Sequence, residues 1–105
     1  MSYKLRFVQS FDKKDSERFL MLEQAFIQLE QENCGISPGK RFVPVAGRLP
    51  TNTLIWEAEF PTLENCTDML KEIANNSDHD ALLKEQIVYM RDAYVEIYQE
   101  LTPDS

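Results

Sequence analysis

Three stretches of the chain alternate apolar and polar side chains, and helical patterns separate them. The alternating stretches are residues 3–11, 53–60 and 93–101. A period of two with aromatic and β-branched side chains is typical of strands that bury one face. Because these stretches lie far apart in the chain, they predict a sheet assembled from distant segments and covered by helices.

A further strand is predicted over residues 41–47, which contain Pro44. Proline cannot donate a hydrogen bond to a sheet ladder, so this strand should lie at an edge of the sheet. A turn centred on Pro50 would pair it with the next strand along the chain. In that register Arg41 faces Glu59 across the two strands.

The sequence shows three helical patterns. The first begins at about residue 16, and the second begins after a candidate cap at Thr62. The third begins at Ser77, which resembles the start of a capping box. The first helix carries Glu23 and Glu30, and we expect both to point into solvent. The apolar positions of that helix recur every three to four residues and form its buried face: Phe19, Leu22, Ala25, Phe26 and Leu29.

The elements follow one another as strand, helix, strand, strand, helix pair and strand. This order predicts an α+β, ferredoxin-like fold, βαββ(αα)β, with the sheet order 4-1-3-2 and all helices on one face. The length of 105 residues fits a single domain over residues 1–105.

Charge and cysteine content limit the partners and the compartment. The chain carries 18 acidic and 11 basic side chains, a net charge of −7, which disfavours nucleic acids and anionic membranes as partners. It has no signal-peptide core, so Cys34 and Cys66 are expected to be reduced thiols in the cytoplasm. These cysteines and His79 are too widely spaced for a typical metal site, and we expect neither metal nor cofactor.

Three short segments carry a family resemblance: residues 52–57 (NTLIWE), 60–64 (FPTLE) and 3–6 (YKLR). They resemble the NIPSNAP-like branch of the dimeric α/β-barrel proteins, in which a hydrophobic strand ends in Trp-Glu before a helix starts. Residues 34–50 carry none of the likeness. The resemblance implies a homodimer whose two helix-free sheet faces enclose a barrel.

The amino-acid pattern supports the same dimer. A sheet with helices on one side leaves its other face uncovered, and here that face is too apolar to be left in water. A second copy of the chain is the simplest cover. The apolar and aromatic side chains expected on that face are Val8, Val43, Val45, Ile55, Tyr94 and Tyr98.

The resemblance leaves the activity open, because the superfamily includes heme-degrading enzymes, quinol-forming monooxygenases, chlorite dismutases and ligand carriers. The leading hypothesis is a barrel that binds a small hydrophobic or aromatic ligand. The alternatives are a cofactor-independent monooxygenase or isomerase acting on an aromatic or polyketide-like compound, and a structural or interaction domain.

Arg6 is the candidate site residue whose surroundings the sequence predicts most specifically. In the predicted sheet it lies on the helix-free face, between Glu57 and Glu96 on the neighbouring strands. A buried arginine needs such partners, and its planar guanidinium can bridge two carboxylates. This group would either fix how the two sheets meet or orient a polar group of a ligand.

The remaining candidates each allow more than one interpretation. Trp56 is a core aromatic or a pocket wall, and His79 is a solvated residue of a first helical turn, a proton carrier or a heme ligand. Tyr94 and Tyr98 flank Glu96 on one strand face, where they form part of an interface or take part in redox chemistry.

Overall fold

A computed structural model describes residues 2–32 and 36–102 of the chain. Within these residues, the sheet consists of four antiparallel strands: β1 (Tyr3–Phe11), β2 (Lys40–Phe42), β3 (Thr53–Phe60) and β4 (Met90–Gln99). Their order across the sheet is β2-β3-β1-β4. This is the predicted order read from the other edge, so the ferredoxin-like α+β fold is confirmed. Cys34 lies outside the described residues.

The helices are α1 (Ser16–Glu32), α2 (Leu63–Asn75) and α3 (Ser77–Gln86). Thr62 caps α2 as predicted, because its side chain accepts a hydrogen bond from the backbone N–H of Asn65 at 3.0 Å. The cap of α3 is Asn76, one residue before the predicted Ser77. Asn76 has the extended backbone of a cap, and its side chain accepts from the backbone N–H of His79 at 2.9 Å.

The core lies between the sheet and the helices. One apolar cluster joins Leu5 and Trp56 of the sheet to Cys66 and Met69 of α2. A second cluster stacks Phe11 on Phe19 of α1, with ring centroids 4.3 Å apart. Cys66 is fully buried, and this burial raises the pKa of its thiol. All of these contacts lie on one face of the sheet, which leaves the other face free of helices.

The pairing of the long strands follows the predicted register. Arg6 lies opposite Glu57 on β3 and opposite Glu96 on β4. Leu5 and Phe7, its neighbours in the chain, point to the helices. The alternating pattern therefore predicted correctly which side chains of β1 point to the helices.

The predicted pairing of β2 is wrong. Arg41 lies opposite Trp56, and not opposite Glu59, so its side chain is on the helix side of the sheet. The strand ends at Phe42, before Pro44, because a proline would interrupt the ladder. Val43 and Val45 consequently lie in the connection to β3 with 53% and 92% of their surface exposed, and they do not belong to the helix-free face.

Across the described ranges 2–32 and 36–102, none of the helices has both the length and the apolar character that crossing a bilayer requires.

Candidate functional site

A cavity of about 280 Å³ lies between the sheet and the helices. Its volume is at the small end of the range for small-molecule pockets, which are mostly apolar with a few polar groups. Every strand and every helix contributes to the wall. The apolar side chains of the wall are Phe7, Phe26, Ile36, Trp56, Ile73, Leu83, Ile87, Met90, Ala93 and Val95.

The polar part of the wall is built around Arg41, which enters the cavity from β2. Its Nε donates to Glu23 Oε2 at 2.6 Å, and its Nη1 donates to Glu30 Oε1 at 3.2 Å. Its Nη2 donates to the second oxygen of Glu30. The side chains of Arg41, Glu23 and Glu30 are only 13%, 8% and 7% exposed. Charges this deeply buried require paired and hydrogen-bonded partners, and they have them here.

Neighbouring groups complete the hydrogen bonding of the two glutamates. The indole N–H of Trp56 and the backbone N–H of Gly39 both donate to Glu30 Oε1 at 3.1 Å. The side-chain amide nitrogen of Gln86 donates to Glu23 Oε1 at 2.9 Å. Arg41, Glu23, Glu30, Trp56 and Gln86 are called the Arg41 cluster below.

The Arg41 cluster carries a formal charge of −1, from two carboxylates and one guanidinium. Burial disfavours the charged form of Arg41, but its hydrogen bond with Glu30 and its attraction to Glu23 outweigh that effect and raise its pKa. The guanidinium therefore stays charged, and one carboxylate charge remains in excess inside the cavity wall.

His79 lies at the start of α3 and borders the cavity, with its ring 4.8 Å from that of Phe26. Burial lowers the pKa of His79, while Glu30, Glu23 and Asp80 act in the opposite direction. The imidazole is therefore neutral at pH 7. His79 lies in the first turn of α3 as predicted, and it is partly buried because its ring packs against Phe26.

The lowered pKa of His79 predicts a loss of stability in acid. The unfolded chain binds a proton at the ordinary histidine pKa of 6.5, whereas the folded protein resists protonation until a lower pH. The free energy of unfolding should thus fall as the pH drops below 6.5. Urea unfolding at pH 7 and pH 5 measures this fall, which should be smaller in the His79→Gln variant. An equal fall in both proteins would contradict it.

The helix-free face holds the second group of charged side chains. Arg6 Nε donates to Glu57 Oε2 at 2.7 Å, and Lys4 Nζ lies 3.7 Å from the other oxygen of Glu57. The Arg6 guanidinium also lies 5.0 Å from the ring centroid of Tyr98. The Tyr98 hydroxyl bonds to Glu96, which raises the tyrosine pKa. Arg6 therefore bonds directly to one of its two predicted carboxylates, and Glu96 pairs with Tyr98.

The sheet separates the predicted site residues into two groups. Trp56 and His79 border the cavity on the helix side. Tyr94 pairs with Val8 on the helix-free face and, as part of the edge strand β4, also borders the cavity. The group on the helix-free face consists of Arg6, Glu57, Glu96 and Tyr98.

Sequence reasoning missed the charged part of the cavity. Glu23 and Glu30, expected in solvent, have side chains only 8% and 7% exposed, because Arg41 from β2 pairs with both inside the protein. One signal was present: Phe19, Glu23, Phe26 and Glu30 follow one another at intervals of four, three and four residues. Residues at that spacing share one stripe of a helix, so the glutamates lie in line with buried phenylalanines.

No protein-family model matches the sequence, and no curated protein does. Solved structures do match. A NIPSNAP family protein from Agrobacterium tumefaciens superposes with a TM-score of 0.73 at 13% identity, over 96% of this chain and 94% of its own. A NIPSNAP-like domain protein from Burkholderia xenovorans gives 0.75 at 11% identity, over 97% and 87%. An antibiotic biosynthesis monooxygenase gives 0.73 at 11% identity, over 95% and 99%.

The chain shares their fold. The likeness to NIPSNAP structures predicted from residues 52–57 and 60–64 is thereby confirmed at the level of the fold. At such low identity the superpositions carry no residue roles with them, so function has to be argued from the cavity itself.

Proposed function

We propose that the protein binds a small, largely apolar molecule in the cavity between the sheet and the helices. The observation that carries this proposal is the cavity of about 280 Å³, walled by aromatic and aliphatic side chains and containing the buried Arg41 cluster. Apolar walls supply binding free energy when water is displaced. A few fixed polar groups then set the orientation of the ligand.

The single tryptophan of the chain gives a direct readout of binding. Trp56 borders the cavity, so its indole N–H should produce one resolved NMR signal that responds to a ligand. We expect a titration with 2-naphthylmethanol, a neutral two-ring probe, to shift this signal in a saturable manner. Isothermal titration calorimetry on the same sample gives the dissociation constant.

Two substitutions on β4 provide a matched control. Ala93 borders the cavity, whereas Ile97 lies on the same face of β4 but outside the cavity wall. Ala93→Phe should fill the cavity and abolish the shift of the Trp56 signal, and Ile97→Phe should leave it intact. A shift that survives Ala93→Phe, or no binding to the unmodified protein, would overturn the proposal.

A cofactor-independent monooxygenase acting on an aromatic compound is the second candidate. The neutral His79 favours it, because an imidazole in the cavity wall is placed to accept a proton from a bound phenol. One neighbour with this fold is an antibiotic biosynthesis monooxygenase. Consumption of oxygen by the protein with a bound aromatic ligand would support this function. Binding without oxygen uptake would support ligand binding without catalysis.

We also propose that the protein is a homodimer joined through its helix-free faces. This face carries Phe42, Tyr94 and Tyr98 with 47%, 40% and 44% of their surface exposed, next to the partly buried Arg6–Glu57 pair. An exposed aromatic patch on one side of a sheet is typical of an interface. A second sheet would cover the patch and complete the burial of Arg6.

The dimer proposal predicts the effect of Arg6→Ala. In the interface this change would leave Glu57 without the guanidinium that bonds to it and weaken association by about 2 kcal/mol or more. Light scattering at micromolar concentration should give twice the mass of 12.3 kDa for the unmodified protein. Lys71→Ala, an exposed position on α2, is the control. A monomeric mass for the unmodified protein, or an unchanged dimer in Arg6→Ala, would contradict this interface.

A cytoplasmic location is proposed on the chemistry of the buried thiol. Cys66 is fully buried in the core as a free cysteine. Free thiols persist in reducing compartments. Immunodetection of the native protein in cell fractions tests the location, and recovery in a secreted fraction would contradict it.

A further inference from the structure

The hydrogen-bond donors of the Arg41 cluster are directed at its own glutamates. Each of the three guanidinium nitrogens of Arg41 donates to Glu23 or Glu30. The indole N–H of Trp56 donates to Glu30, and the amide nitrogen of Gln86 donates to Glu23. A carboxylate entering the cavity would have to compete with these buried acceptors. The cluster therefore offers an anion little hydrogen bonding.

An acceptor in the same wall, in contrast, lacks a hydrogen-bond donor within the part of the chain that the structure describes. Gln86 is completely buried, borders the cavity, and its Oε1 has no hydrogen-bond partner among the described residues. Reversing the amide would place Oε1 against an oxygen of Glu23 and the backbone carbonyl of Phe19, both of which are acceptors. The orientation of the amide is thus fixed, and a buried carbonyl oxygen without a donor is a costly group to leave unpaired.

Charge points to the same ligand chemistry. The formal charge of −1 of the Arg41 cluster lies on buried side chains, where charges interact more strongly than in bulk solvent. His79 borders the same cavity as a neutral side chain, with Glu23 and Glu30 facing it from α1 and Asp80 beside it on α3. Among the described residues of the wall, the positively charged side chain is that of Arg41, and Glu23 and Glu30 already pair with it.

We propose that the cavity selects ligands that carry a protonated amine on an apolar skeleton, and that it disfavours carboxylates of the same skeleton. This inference rests on the proposed function and names the ligand class of the same cavity. The ammonium group would balance the excess carboxylate charge beside Gln86, whose buried Oε1 lacks a donor among the described residues. Its apolar skeleton would lie against Trp56 and Phe26, whose rings also favour a nearby cation.

Three probes with one skeleton test this selection at pH 7. They are 2-naphthylmethylamine, which is a cation, 2-naphthylmethanol, which is neutral, and 2-naphthoate, which is an anion. Isothermal titration calorimetry should show that the amine binds at least tenfold more tightly than the alcohol. The alcohol should in turn bind at least tenfold more tightly than the carboxylate. A shift of the Trp56 NMR signal shows that the heat measured for each probe comes from binding in the cavity.

A charge-neutralising variant assigns the preference to the Arg41 cluster. Glu23→Gln removes the excess charge while keeping a side-chain oxygen that can accept from Arg41. In this variant the ratio of amine to alcohol affinity should fall at least fivefold. Glu17→Gln changes the net charge equally at an exposed position on α1, and it should leave the ratio unaltered.

The outcomes separate the two proposals. Equal binding of all three probes would overturn the preference for amines and leave the ligand cavity standing. Equal effects of Glu17→Gln and Glu23→Gln would also overturn it, since net charge and not the cluster would then set the ratio. If none of the three probes binds, the proposed function is wrong and the inference falls with it.

Discussion

Replacing Arg41 with methionine should lower the free energy of unfolding by about 3–5 kcal/mol. The substitution keeps an unbranched apolar stem but removes the cation that Glu23 and Glu30 share. Both carboxylates are more than nine-tenths buried, so they would remain in the protein interior without a counter-ion. A domain of this size has a total stability of roughly 5–15 kcal/mol, so the variant should be close to unfolding. Urea denaturation followed by circular dichroism measures the loss.

Two further variants show whether uncompensated charge is the cause. Arg6→Met breaks the partly buried pair with Glu57, which is more exposed than the Arg41 cluster, and should cost below about 1 kcal/mol in the monomer. Adding Glu23→Gln and Glu30→Gln to Arg41→Met removes the stranded charges, and this triple variant should recover part of the lost stability. An Arg41→Met protein as stable as Arg6→Met would show that the buried cluster contributes nothing.

Gly39→Ala should destabilise the protein by roughly 1–3 kcal/mol, the usual range for an overpacked core. A Cβ atom built on Gly39 would lie 2.1 Å from both Nε1 and Cε2 of Trp56. The indole would have to move, although it is only 5% exposed and bonded to Glu30. The backbone N–H of Gly39 donates to the same carboxylate, so both bonds are at risk. Thermal unfolding measures the loss.

A double-mutant cycle with Trp56→Phe isolates the contact. Phenylalanine lacks the indole ring atoms that the new methyl group would meet, so Gly39→Ala should cost much less in the Trp56→Phe background. An interaction between neighbouring sites appears as non-additivity in such a cycle. If Gly39→Ala has the same effect in both backgrounds, the close packing of Gly39 on the indole is not what restricts this position.

The long strands could be predicted because each carries its own pattern. In β1, Leu5 and Phe7 alternate with Arg6 and Val8, and this alternation indicates which face packs on the helices, although Val8 on the other face is also buried, at 3% exposed. The position of Arg6 opposite Glu57 and Glu96 followed from that facing and from the sheet order. Local sequence thus determined both the fold class and the charged pair on the helix-free face.

The cavity could not be predicted in the same way, because its charged part depends on contacts between distant segments. A glutamate on a helix is usually solvated. The sequence of α1 does not indicate that an arginine from another element will pair with Glu23 and Glu30. That meeting depends on where β2 ends, and the short strand Lys40–Phe42 carries too little alternation to fix its own register. The wrong register predicted for Arg41 and the wrong exposure predicted for the two glutamates therefore have the same cause.

The two faces of the sheet have separate roles in this account. The helix side encloses the cavity with the Arg41 cluster, and the helix-free side carries the aromatic patch with Arg6 and Tyr98. Substitutions on the two sides should therefore be separable in experiment. Ligand affinity should respond to the cavity wall, and association of the chains should respond to the patch.

A crystal structure of the protein with 2-naphthylmethanol bound would show where a ligand lies. We expect electron density for the two-ring skeleton between the sheet and the helices, against Trp56 and Phe26, with the hydroxyl group directed towards Gln86. Density for the probe on the helix-free face beside Arg6, with the cavity unchanged, would contradict this expectation.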